Sequence, residues 1–142
     1  MNRAKLITVM LTVVLAIFLA LACGPVQRAQ EAGAKRNILT RQDLSGFPGH
    51  EGVVAQVEFA PGAHEPKHTH PGDIFGYVLE GALTLGVEGR AVVTVKAGEV
   101  FFVPAGTVHW GENAGDSPVK VVATFVVEKG KPLTSHLQYR KE

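Results

Sequence analysis

Gly98-Glu99-Val100-Phe101-Phe102-Val103-Pro104-Ala105-Gly106-Thr107-Val108-His109-Trp110-Gly111-Glu112-Asn113 is the stretch whose reading decides the fold. Its apolar run, Val100 to Val103, reads as a short strand, and Pro104-Ala105-Gly106 reads as a turn. The turn reverses the chain and sends His109 back towards the core. Upstream lies His64-Glu65-Pro66-Lys67-His68-Thr69-His70. Side chains alternate along a strand with period two, so His68 and His70 share a face. A third imidazole brought beside them gives three neutral nitrogen donors, a common transition-metal site.

Outward from these stretches the body is a series of short β-rich runs punctuated by Gly and Pro. Residues 53–59 end at Pro61-Gly62, and residues 75–79 end at Glu80-Gly81. Residues 83–87 turn at Glu88-Gly89 into 91–95, the pattern of a hairpin. Residues 119–127 form a long final strand. No segment has a helical period and no repeat is visible. An all-β domain over residues 38–130, a sandwich or barrel, is the expectation, followed by a tail over 131–142.

The N-terminus reads as an address. Arg3 and Lys5 precede an apolar run from Leu6 to Ala22, and Ala20-Leu21-Ala22 fits a cleavage site with Cys23 directly after it. A cysteine at that place resembles a bacterial lipoprotein signal, in which the thiol is lipidated, and Gly24 resembles the outer-membrane-directed type. Ala20 stands where such signals carry Leu, so a plain secretory peptide over residues 1–22 stays open. So does an uncleaved anchor, although a run of 17 residues, broken by Thr8 and Thr12, barely reaches the length of a span. All three readings place the domain outside the cytoplasm, periplasmic and lipid-anchored to the membrane or secreted. Residues 23–37 carry no apolar period and read as a flexible tether.

Composition bounds the function. The 142 residues carry 14 basic and 13 acidic side chains, and removing Arg3 and Lys5 with the leader leaves 12 against 13. No basic patch calls for nucleic acid. Cys23 is the one cysteine, so no disulfide forms within the chain. Ser45, Ser117 and Ser135 sit in no nucleophile-elbow context, and phosphate-binding glycine loops are absent.

The two histidine stretches resemble the two motifs of the cupin superfamily. Its first motif runs G-x5-H-x-H-x3/4-E-x6-G, and Gly62, His68, His70 and Gly81 fall in register. Its second runs G-x5-P-x-G-x2-H-x3-N, which Gly98, Pro104, Gly106, His109 and Asn113 match throughout. The resemblance implies a small double-stranded β-helix, or jelly roll, holding one divalent transition metal (Fe, Mn, Ni, Cu or Zn) on His68, His70 and His109. The family's carboxylate ligand would fall at Ile74 here. Asp73 lies one residue off, and a one-residue slip turns a side chain to the opposite face. Asp73 can therefore ligate only if the Pro71-Gly72 turn re-aims it. A three-histidine site with open positions is the expectation, as in cupins among the thiol and diketone dioxygenases.

Gly62, Gly81 and Gly98 read as turn positions, and Asn113 as the residue that closes a turn. His50, His64 and His136 lie outside the motif register. Phe75, Tyr77, Phe102 and Trp110 are the aromatics nearest the ligands in sequence and read mainly as core. Trp110, next to His109, points away from the metal, and Gln56 is a candidate polar group of the pocket. Three functions stand open: an oxygenase acting on a small molecule, a non-catalytic binder of metal or ligand, and a metal-assisted isomerase or lyase. The resemblance also admits a homodimer through edge strands, for which the sequence carries no signal.

Overall fold

Val53, Ala55, Val57 and Phe59 are buried while Val54, Gln56 and Glu58 between them are half-buried, the signature of a strand with one face on a core. The computed structural model describes residues 33–136. The leader, Cys23 and the last six residues lie outside these.

Among the described residues ten strands form: β1 (Lys35–Asp43), β2 (His50–Phe59), β3 (His64–Thr69), β4 (Asp73–Glu80) and β5 (Ala82–Val87) are followed by five more. These are β6 (Val93–Lys96), β7 (Val100–Val103), β8 (His109–Glu112), β9 (Val119–Glu128) and β10 (Ser135–His136). They build two five-stranded sheets, ordered β1-β2-β9-β4-β7 and β10-β3-β8-β5-β6, with antiparallel pairing throughout. The chain changes sheet repeatedly, which is the double-stranded β-helix expected from the motifs. The predicted hairpin is present as β5 and β6, in register from Ala82↔Lys96 to Leu85↔Val93.

The core lies between the sheets. Val119, Val121, Ala123, Phe125 and Val127 of β9 face it, opposite Leu83, Leu85 and Val87 of β5. Burying such side chains contributes about 1.5–3 kcal/mol each. On β4 the inward set is Ile74, Gly76 and Val78, and a side chain on Gly76 would collide with the Phe101 ring. The turn glycines behave as expected: Gly62, Gly81, Gly98 and Gly106 all have positive φ, between 70° and 87°.

Both ends of the domain extend past the sequence-based limits. β1 starts at Lys35, inside the stretch that reads as tether, because its backbone pairs along β2 from Lys35↔Glu58 to Asp43↔Glu51. Its side chains are mostly exposed, so hydropathy carries no trace of it. Ser135 and His136, in the expected tail, pair with Thr69 and His68 of β3.

Candidate metal centre

Register brings the three histidines together. His68, near the end of β3, stands opposite His109, the first residue of β8, while Val87 of β5 flanks His109 on its other side. His70 follows the end of β3 and lies on the same face as His68, both being buried. The turn expected at 104–106 is clamped to this strand end. The Gly106 N–H donates to the His70 carbonyl at 2.8 Å, and the Ala105 N–H donates to Asp73 Oδ1 at 2.9 Å.

Nitrogen atoms of His68, His70 and His109 lie within 4.8 Å of one another, the only such cluster of candidate ligands among the described residues. Each ring is oriented by a backbone carbonyl. Nδ1 of His68 donates to Pro66 O at 2.7 Å, Nδ1 of His109 to Thr107 O at 3.0 Å, and Nδ1 of His70 to Leu133 O. A carbonyl only accepts, so each Nδ1 carries the proton. Burial holds all three rings below the usual imidazole pKa, His70 down to about 3, against the carbonyl bonds that push the other way. The Arg36 charge lowers all three further. The rings are therefore neutral at pH 7, with a lone pair on each Nε2.

Two such lone pairs face each other at 3.1 Å, between His68 Nε2 and His70 Nε2. Without a proton between them this contact is repulsive. With metal–nitrogen bonds of about 2.0–2.1 Å, two imidazoles on one ion stand about 2.9–3.4 Å apart, depending on the angle. The donor set fits a transition metal in its atoms, its protonation and its spacing.

The histidines open on a cavity of about 50 Å³, otherwise walled mainly by apolar side chains such as Val57, Phe59, Leu85 and Phe101. Two charged residues join this wall, and neither is singled out by the sequence. Glu65 Oε1 is 4.0 Å from His68 Nε2, and it accepts from Arg36 Nη2 at 3.2 Å. Arg36 reaches in from β1, its guanidinium 5.7 Å from the centre of the Phe125 ring, and Nη1 donates to Thr134 Oγ1 at 2.8 Å. In an unbroken strand Glu65 and His68, three apart, would face opposite ways. The β3–β8 register breaks between them, at a segment containing Pro66, and the break re-aims the acid.

Asp73 accepts from the Ala105 N–H and belongs to the turn clamp, outside the nitrogen cluster. Other expectations are corrected. Phe75, Tyr77 and Phe102 alternate with the inward residues of β4 and β7, so they lie exposed on the outer face. Gln56 also faces outward and donates to Glu58 at 2.9 Å. Trp110 points away from the histidines, as expected, and covers Gly86. His64 packs beside Trp110 and His50 against Phe47, while exposed His136 stays outside the cluster. Asn113 is the buried turn-closer: its Nδ2 donates to Phe59 O, Ala60 O and Ser117 O, and its Oδ1 accepts from Gly115 N.

A double-stranded β-helix with a buried three-histidine cluster defines a class of small β-barrel protein with a candidate metal site. The cupin domain family matches residues 55–128, and this chain belongs to it. Germin-like protein 1-1 of Oryza sativa subsp. japonica is 41% identical over 95 residues, covering 61% of this chain and 44% of the relative. The chain thus spans under half the length of that curated relative. A solved recombinant oxalate oxidase in complex with glycolate superposes with a TM-score of 0.55 at 29% identity, over 68% of this chain and 52% of that one. A cupin superfamily protein from Desulfitobacterium hafniense shares the fold, with a TM-score of 0.55 at 18% identity over 71% and 84% of the two chains.

Proposed function

We propose that this chain is an extracytoplasmic, single-domain cupin that binds one divalent transition metal through the Nε2 atoms of His68, His70 and His109. Its chemistry is oxygenase-type, on a small organic molecule. The observation that carries this reading is the convergence of three lone pairs whose tautomers are each locked by a backbone carbonyl. Three protein ligands leave coordination positions open, and a metal held there supplies Lewis acidity and, for Fe, Mn or Cu, a redox couple. The protein's own part is to keep the imidazoles neutral and aimed, and to exclude bulk water behind apolar walls. The likeness to a glycolate-bound oxalate oxidase supports oxidative chemistry on a small molecule. The charged start, apolar run and Cys23 of the leader support export and lipid anchoring.

Metal analysis of the purified protein, expressed with iron, manganese or zinc supplementation, tests the centre. About one equivalent of metal is expected in the wild type and none in His68→Ala. A wild type that stays metal-free under all three supplements refutes the reading. Oxygen uptake by the metal-loaded protein with thiols, diketones and catechols then tests the chemistry. No uptake with any metal form would leave a binder or a Lewis-acid isomerase as the function.

A further inference from the structure

The cavity is charged on one side only. Most of its wall is apolar, and Arg36 and Glu65 sit together beside His68. Glu65 Oε1 bridges the two halves, 3.2 Å from Arg36 Nη2 and 4.0 Å from His68 Nε2. A carboxylate oxygen therefore already occupies the place between the guanidinium and the histidine centre. From this we infer that Arg36 is the specificity residue for a small carboxylic acid, whose carboxylate takes the arginine while its other end meets the three-histidine centre. Glu65 is the internal carboxylate that masks Arg36 until the acid arrives.

The charge count favours an anion. The inference rests on the metal reading above: a divalent ion on three neutral rings, with Arg36 and Glu65 cancelling, leaves two positive charges in a largely apolar cavity. Uncompensated charge in such surroundings is costly, so an anionic ligand is bound and a cationic one excluded. Arg36 has donors to give. Of its five N–H groups, one on Nη1 meets Thr134 and one on Nη2 meets Glu65, and its buried Nε–H has no acceptor among the described residues. The planar fork of a guanidinium suits a carboxylate better than a lysine ammonium would. Size narrows the class: about 50 Å³, roughly four water-sized positions, favours only the smallest acids beside a metal.

Glycolate is a suitable probe and glycolamide its neutral counterpart. Both are titrated calorimetrically into the full-length protein, in metal-loaded and chelator-treated forms, with metal content measured alongside. The wild type is expected to prefer glycolate at least tenfold. Arg36→Gln should erase that preference with metal stoichiometry unchanged, and Arg36→Lys should restore part of it. Glu65→Gln should tighten glycolate binding severalfold, the opposite of what loss of a purely structural ion pair would do. Glycolate binding by Arg36→Gln equal to wild type overturns the anchor. Unchanged or weaker binding by Glu65→Gln overturns the masking role. A wild type that takes up no metal defeats the metal reading, and the chelator-treated titrations then decide the anchor: a glycolate preference that is lost in Arg36→Gln assigns it to the guanidinium, and the same binding in both proteins overturns it.

Discussion

Stability of the metal-free protein should fall in mild acid, and His70 should be the main cause. Burial takes its pKa from 6.5 to about 3. A base whose pKa drops on folding binds fewer protons in the folded than in the unfolded state between those two values. Stability is therefore full above pH 6.5 and is lost progressively as pH falls through the window towards 3. One proton per molecule corresponds to about 1.4 kcal/mol per pH unit inside that window. Between pH 7.5 and pH 5, His70 alone should cost about 2 kcal/mol, roughly 10 °C in Tm for a domain of this size. The pKa values of His68 and His109 are lowered in the same direction and steepen the slope. The assay is thermal or urea unfolding with chelator present, from pH 4.5 to 8, for wild type and His70→Gln. The glutamine side chain does not titrate, so the difference between the two proteins should change with pH in that window. Parallel curves would refute the reasoning. Added zinc should raise the wild-type midpoint more at pH 7.5 than at pH 5, because protons and metal compete for the same lone pairs.

Asn113→Ala should destabilise the protein by about 2–3 kcal/mol in urea unfolding, since it strands three carbonyls around a side chain only 1% exposed. A change under 0.5 kcal/mol would show that water replaces the amide. Asp73→Asn should keep full metal content, because the amide oxygen still accepts from Ala105 N; metal loss would instead make Asp73 a ligand. Cys23→Ser should abolish acyl labelling of the protein in the membrane fraction, and labelling that persists would contradict the lipoprotein reading.

The parts of the histidine cluster that were legible in the sequence share one property: their meaning is local. His68 and His70 lie two apart on one strand, so period two alone puts them on one face. Gly106 and Pro104 shape a turn wherever they stand, and the Gly106 φ of 70° shows it. Phe75, Tyr77 and Phe102 were expected mainly in the core because hydrophobic aromatics usually are. Their exposure follows from the register of β4, in which Ile74 and Val78 take the inward places and Phe101 fills the space above Gly76. Hydrophobicity says that a residue can be buried, and only pairing says which face it occupies.

By itself, then, the sequence determined an all-β barrel, the turns that reverse its strands, and the three histidines, since strand period, glycine conformation and proline geometry act over a few residues. The tertiary structure decided what surrounds those histidines. Arg36 comes from a strand visible only through its pairing with β2, Leu133 and Thr134 come from the expected tail, and Glu65 reaches the cavity through a break in strand register. These contacts join residues up to 98 positions apart, and no local rule of propensity or period encodes such a meeting.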